Sequence, residues 1–450
     1  MTIPPLTGAN RLKLSLMMFL QFFIWGAWFE LGFDYIPWLG FTPLQTSLVF
    51  GAFNVGAVVA LLFTQFADRN FAAQKFLAFS HLVGGLAILG LYFMHPDPAA
   101  VAAAEATKSP KVAFLPFFLL MLLHSLFYVP TISITNSIAF AAMSDPSRQF
   151  GPIRLWGTIG WIAASWPFIF ILVDWTAVNA QAPAGFVDTI KTALGTSLKG
   201  DALRTGQSYI FLVAGAASLL LSVFSLALPN TPPKPARGFA WIEAMKLLKH
   251  PFVLVLFIVT FIDAAVHQSF FYWTASFLGP VANGGVADIP SNLVTPVMKI
   301  GQIAEIITML FLGYVLKTFG WRITMIVGVL GHAARFAVFA FLPQDQTAVI
   351  AVNVLHGICY AFFFATVYIF IDEYFPKDIR SSAQGLFNML ILGIGPFVAN
   401  MICGELGEKY APGKNHDYKP VFMVSLYAAS AGAVLLLLFF WPKQSDSLSK

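Results

Sequence analysis

The sequence predicts an all-α membrane protein: twelve transmembrane helices in two six-helix bundles. The prediction rests on composition, on span length and on one central break. Of 450 residues, 58% are hydrophobic and 10% are charged, against roughly 25% charged in soluble domains. Such a chain lacks the polar surface to cover itself in water, and its mean hydropathy is +0.76. A soluble enzyme, a disordered scaffold and a secreted disulfide module are excluded. Cys359 and Cys403 both lie in apolar runs, so no disulfide framework or CxxC metal site is present. A pI near 9.1 arises without any basic stripe, which argues against nucleic acid.

A helix needs about 20 mostly apolar residues to cross a bilayer. In the first half such runs lie at about 14–35, 45–66, 74–94, 112–141, 153–173 and 208–228. In the second half they lie at about 251–278, 293–317, 323–342, 347–371, 383–407 and 420–441. Runs such as Phe118 to Leu123 and Leu435 to Phe440 are continuous, whereas a membrane β-barrel would alternate apolar with polar residues. With the N-terminus inside, sixteen Lys and Arg fall on the inside, eight on the outside, and Lys299 and Arg335 well within spans. The loops between spans 1–2, 7–8 and 9–10 carry none. The positive-inside rule therefore places both termini in the cytoplasm. The start, MTIPPLTGANRLKL, runs into a full span without a small-residue cleavage site and reads as retained.

The segment 229–250, PNTPPKPARGFAWIEAMKLLKH, separates residues 1–228 from 251–450. Each half has a basic loop between its second and third spans, at Ala67-Asp68-Arg69 and at Lys317 with Trp321-Arg322. This resembles the layout of the major facilitator superfamily, whose substrate lies midway across the membrane between the halves. Thr64 stands where the first glycine of that superfamily's loop signature would be.

A charge at mid-membrane costs about 2.5–3.5 kcal/mol on insertion scales, so each needs a reason. In span 8, Lys299, Gln302 and Glu305 recur every three residues and share a slowly drifting helix face. Either they line a cavity or they form a structural pair with Lys299 snorkelling outward. Arg154, Thr158 and Trp161 in span 5 share a face, joining a rigid fork of donors to a stacking surface. Arg154 serves equally as an inside anchor. Gln21, Trp25 and Trp28 repeat the pattern in span 1, with core packing as the plainer reading. Span 7 carries Asp263, His267, Gln268 and Phe271, and span 10 carries His356 and Tyr360. His332 and Arg335 in span 9, one turn apart, read as a structural pairing with another helix. His81 and His124 read as satisfied core histidines, and Asp372 with Glu373 as surface salt bridges beside Lys377 and Arg380. Aromatic rings with amide, guanidinium and carboxylate groups suit a neutral, flat, hydroxylated solute. The absence of HExxH, GxSxG and Walker sequences leaves no support for an enzyme, a pump or a cofactor.

The chain resembles the nucleoside:proton symporter family of the same superfamily. The resemblance runs through Arg11-Leu12-Lys13-Leu14, Phe19-Leu20-Gln21-Phe22 and Trp25-Gly26-Ala27-Trp28. It continues through Pro152-Ile153-Arg154-Leu155-Trp156-Gly157-Thr158-Ile159-Gly160, its most specific segment, and Gln302-Ile303-Ala304-Glu305. Arg335-Phe336-Ala337 and the segment from Ile379 to Gly385 complete it. The resemblance implies a nucleoside site of Arg154, Thr158, Gln268, Gln302 and Glu305, with Trp161, Phe271, His356, Tyr360, Gln21 and Trp25 around it. Trp161 stands where the family can have Phe, Phe271 replaces Asn, and His356 replaces Tyr. Ala361 occupies the place of the family's Asp, the natural proton carrier, because desolvation brings a buried carboxylate toward neutral titration. Three readings follow: another acid, Glu305 or Asp263, carries the proton; the protein is an uncoupled facilitator; or Ala361 is an introduced change.

The expectation is a monomeric importer of nucleosides, proton-linked, in a plasma (bacterial inner-type) membrane, with nucleoside, protons and the lipid bilayer as its partners. Glu305 is the expected proton-sensitive group. A carrier of a sugar or glycoside is the rival within transport, and a non-transporting receptor is the rival outside it.

Overall fold

The computed structural model describes residues 6–144, 146–233, 245–375 and 380–442, and leaves out the side chains of 61–69, 146–148 and 380–382. Several features of the sequence lie outside the described residues. They are most of the central loop (234–244), the side chains of Thr64 and Ala67-Asp68-Arg69, Lys377 and the Arg380 side chain that follow Asp372 and Glu373 in sequence, and the tail from Lys443. Asp372 and Glu373 themselves are exposed.

Apolar runs become helices here because, in lipid, every backbone N–H and C=O must be satisfied within the segment. Among the described residues, ten helices are long and apolar enough to cross a membrane. One of them, Ser291–Phe341, has 51 residues and a non-helical Gly320 at φ 72°. That left-handed conformation suits glycine, and the stretch is two spans joined by a tight break. Span 5 is the twelfth. It runs as Pro146–Ala163, breaks at Ser165, and resumes as Trp166–Ile171. Pro167 cannot donate to the preceding turn, which accounts for the interruption. The other boundaries hold to within a few residues, except that spans 1, 5 and 6 begin earlier than expected, at Gly8, Pro146 and Gly200, span 1 being capped by Thr7 through Asn10 N–H. The fold is the twelve-helix, all-α membrane architecture.

The chain divides into two compact units, Met1–Ala236 with Pro290–Pro296, and Arg237–Ile289 with Val297–Lys450. In the first unit, span 1 packs on spans 5 and 6, span 3 on spans 4 and 6, and span 2 on span 4. The contact of spans 1 and 5 is close because Gly160 lacks a side chain: a Cβ there would stand 2.1 Å from the carbonyl oxygen of Phe19. Gly160→Val is expected to destabilise the protein by about 1–3 kcal/mol or more through overpacking, read as an earlier thermal transition in detergent. In the second unit, span 7 packs against spans 11 and 12.

Spans 10 and 11 each contain a π-helical stretch, Tyr360–Ala365 and Met389–Ile394. Such stretches concentrate at functional sites. Ala361 lies fully buried within the first of them.

Candidate functional site

In the first unit, the close approach of spans 1 and 5 sets Trp25 edge-on to Trp161, with ring centroids 5.0 Å apart. Trp25 also stacks on Phe53 at 4.6 Å. Arg154 lies over the Phe22 ring at 4.1 Å, a cation–π contact. Thr158, one turn further along span 5, is half-buried. Arg154, Thr158, Trp161 and Trp25 thus share one neighbourhood, and the indole N–H of Trp25 is buried without a hydrogen-bond partner.

Gln21 is placed differently, fully buried and tied at both ends of its amide. Its Nε2 donates to Thr131 Oγ1 at 2.9 Å, and its Oε1 meets His81 Nε2 at 2.9 Å. Thr131 O–H donates to the Tyr128 carbonyl, and Tyr128 O–H to the Gln21 carbonyl, each at 2.5 Å. Since Gln21 Oε1 only accepts, His81 carries a proton on Nε2. His81 is a satisfied core histidine, as its sequence setting suggested, with Ser218 Oγ 3.0 Å from Nδ1. Gln21 therefore fastens span 1 to spans 3 and 4 in addition to any role toward substrate.

In the second unit, two glycines bring spans 8 and 10 together. A Cβ on Gly301 would lie 2.6 Å from His356 Cβ, and one on Gly357 would lie 2.3 Å from the Glu305 nitrogen. This contact sets the buried Gln302 against His356 and the backbone of the half-buried Glu305 against Gly357. Gln302 Nε2 is 3.2 Å from His356 Nε2. Arg335 NH1 donates to His356 Nδ1 at 2.9 Å, and Arg335 NH2 to His332 Nδ1 at 2.9 Å. The guanidinium also lies over the Phe270 ring at 3.8 Å.

Arginine only donates, so both histidines accept at Nδ1 and, when neutral, carry their proton on Nε2. His356 Nε2–H needs an acceptor, and the amide oxygen of Gln302 is buried without a partner. The Gln302 amide is therefore assigned with its oxygen toward His356, which turns its NH2 away as a double donor.

Span 7 closes this half. Gln268 Nε2 donates to Asn400 Oδ1 of span 11 at 2.9 Å. The Phe271 ring is 5.8 Å from His356, and His267 lies 4.9 Å from the same ring. Tyr360 is half-buried, its ring 5.8 Å from Phe364. Asp263 is fully buried, and its carboxylate has no hydrogen-bond partner; His332 Nε2 stands 3.7 Å away. Lys299 is 2% exposed, so it does not snorkel out to the surface of the bundle. No group of three or more His, Cys, Asp or Glu suited to a metal ion occurs among the described residues.

The structure thus brings Phe271, Gln302 and His356 together in the packing of spans 7, 8 and 10, with Asp263 beside His332, while Gln268 turns to Asn400 of span 11. Sequence reasoning missed Asn400, whose only signal was an amide in the apolar run of span 11. It read His332 and Arg335 as a structural pairing with another helix, which holds for Arg335 on His356 of span 10, without identifying that partner.

A family model described as nucleoside H+ symporter matches residues 9–445. YegT of Escherichia coli (strain K12), a candidate nucleoside transporter, is 30% identical over 97% of this chain and 94% of its own length. The xanthosine permease of the same organism is 26% identical over 98% of this chain and 97% of its own. A crystal structure of a mutant of the nucleoside transporter NupG aligns with a TM-score of 0.75 at 24% identity, covering 96% of this chain and all of that one.

Proposed function

The chain belongs to the nucleoside H+ symporter family, and we propose that it imports nucleosides together with protons. Its relatives are transporters, so it is a transporter and not an enzyme. The observation that carries the reading is residue-specific. The family match spans nearly the whole chain, and the residues that resemble the nucleoside site form two polar, aromatic-lined clusters, one in each unit. In the first, Arg154 and Thr158 offer donors beside the rings of Trp25 and Trp161. In the second, Gln302 offers an amide beside His356 and Phe271, and Gln268 and Glu305 add an amide and a carboxylate from spans 7 and 8. A nucleoside matches this chemistry, with a flat base for the rings and ribose hydroxyls and ring nitrogens for the polar groups. Few cations lie among them, which disfavours a phosphorylated substrate.

The transport cycle is alternating access by the halves 1–228 and 251–450 around segment 229–250, as in other two-halved secondary carriers. The protein sits as a monomer in a plasma-type membrane with both termini in the cytoplasm, in keeping with sixteen Lys and Arg on that side against eight on the other. Glu305 and Asp263 are the acids we assign to the proton.

The test is exchange of labelled uridine and adenosine in proteoliposomes of the purified chain. Preloaded unlabelled nucleoside is expected to drive rapid label uptake that glucose and xylose do not inhibit. Uptake blocked by a sugar, with nucleosides inert, would return the assignment to the sugar-like carrier.

A further inference from the structure

Within the second unit, one set of buried groups runs continuously from an acid to the Gln302 amide. Asp263 on span 7 faces His332 Nε2 at 3.7 Å. His332 Nδ1 accepts from Arg335, and a second nitrogen of the same guanidinium donates to His356 Nδ1, each at 2.9 Å. His356 Nε2–H then meets Gln302. Asp263, His332 and Arg335 are each 0% exposed, and His356 is 2% exposed. A fully buried carboxylate with no donor within hydrogen-bond distance is costly, and a proton is the ligand that would satisfy it.

We propose that Asp263, His332, Arg335 and His356 form one proton-binding relay that sets the hydrogen bonding of Gln302, and that this relay carries the transported proton where Ala361 cannot. The inference rests on the nucleoside-symport reading and names its proton site. In the loading step a proton leaves water and bonds to a carboxylate oxygen of Asp263; no other bond breaks, and the charge of the set rises by one. The same proton returns to water on the far side of the membrane. While Asp263 is ionised, its charge and that of the Arg335 guanidinium attract each other. Once Asp263 is neutral, the two imidazole Nδ1 atoms are what hold Arg335, and its bond to His356 tightens. His356 Nε2–H then fixes the Gln302 oxygen, leaving the amide NH2 presented to substrate. Proton and nucleoside thus favour each other's binding, which is the sign symport requires.

The other charged and titratable groups around the relay come from every packed element. His267 of span 7 lies 4.9 Å from the His356 ring and 5.6 Å from that of His332. Span 8 contributes Lys299, whose charge acts on His356, and Glu305, three residues beyond Gln302. Cys359 of span 10 lies within the field of Arg335. Spans 11 and 12 contribute neutral groups to span 7, Asn400 to Gln268 and Ser425 to Ser269.

The experiment uses the full chain in proteoliposomes with the lumen one pH unit more alkaline than the bath. One proton per nucleoside then supports about tenfold uridine accumulation. The unmodified chain is expected to approach that ratio, and Asp263→Asn to show none. His332→Gln keeps an acceptor for Arg335 but removes the imidazole. It is expected to lose accumulation and to lose the pH dependence of uridine exchange. Accumulation by Asp263→Asn, or exchange without accumulation in the unmodified chain, overturns the relay. Absent exchange in the unmodified chain instead sinks the nucleoside reading. A second measurement needs no substitution: uridine added to the detergent-solubilised protein in weak buffer should make it take up protons, seen with a pH dye. Uridine binding without proton uptake also overturns the relay.

Discussion

Replacing Arg335 by leucine is expected to lower stability by about 3–5 kcal/mol, the scale seen when one partner of a buried charged set is removed. Three groups lose their counterpart at once. The Nδ1 atoms of His332 and His356 lose the donor each holds at 2.9 Å. Asp263, fully buried, loses the cation whose field acts on it. The aliphatic replacement fills part of the volume over Phe270 but satisfies none of these. Arg335→Lys is a sharper probe. A single ammonium on a flexible stem cannot reproduce a planar fork that reaches two imidazoles together, so it should recover only part of the loss. Thermal unfolding in detergent checks the order: unmodified chain highest, lysine intermediate, leucine lowest. Equal transitions for all three would mean that the guanidinium is dispensable to the packing of spans 7, 9 and 10.

Much of this arrangement was legible in the sequence, and what was not has a physical cause. Twelve spans follow from length and apolarity because lipid leaves the backbone so few alternatives. Helix periodicity also placed Lys299, Gln302 and Glu305 on one side of span 8, and Arg154, Thr158 and Trp161 on one side of span 5. Periodicity fixes a face but not the helix it meets. Gln21 and Trp25 share a face of span 1, yet the Gln21 amide turns to His81 and Thr131 while the Trp25 ring turns to Phe53 and Trp161. Nothing local to span 1 separates those outcomes, since the partners lie on spans 2, 3, 4 and 5. The same limit hid the bond from Arg335 to His356, between residues 21 apart in the chain. The glycines that bring spans 8 and 10 together, Gly301 and Gly357, were visible as letters, but their meaning depends on which helix lies opposite. The break in span 5 is the converse case, because Pro167 announces it in the sequence.

Substitutions at Gln302 separate what this side chain does for the fold from what it does for substrate. In the assigned orientation its oxygen accepts from His356 Nε2–H and its NH2 is free to donate to a base or ribose acceptor. Gln302→Leu removes both functions. The donor of His356 is left buried and unsatisfied, at a cost of about 1–3 kcal/mol, and substrate loses a hydrogen bond. Nucleoside affinity should fall by roughly tenfold to a hundredfold, the equivalent of about 1.4–2.8 kcal/mol, and the thermal transition should fall with it. Gln302→Glu leaves an acceptor facing His356 and takes away only the outward donors, so affinity should fall while most of the stability is kept. The two variants together distinguish the orientations of the amide. Were the NH2 directed at His356 and the oxygen at substrate, the carboxylate would still accept from a nucleoside donor, and Gln302→Glu would bind at least as well as the unmodified chain. Binding of uridine and of adenosine, measured beside the melting transition for each variant, decides between the two. The expected result, affinity lost and stability kept in the glutamate variant, would tie the proton relay to substrate through the one amide that both must share.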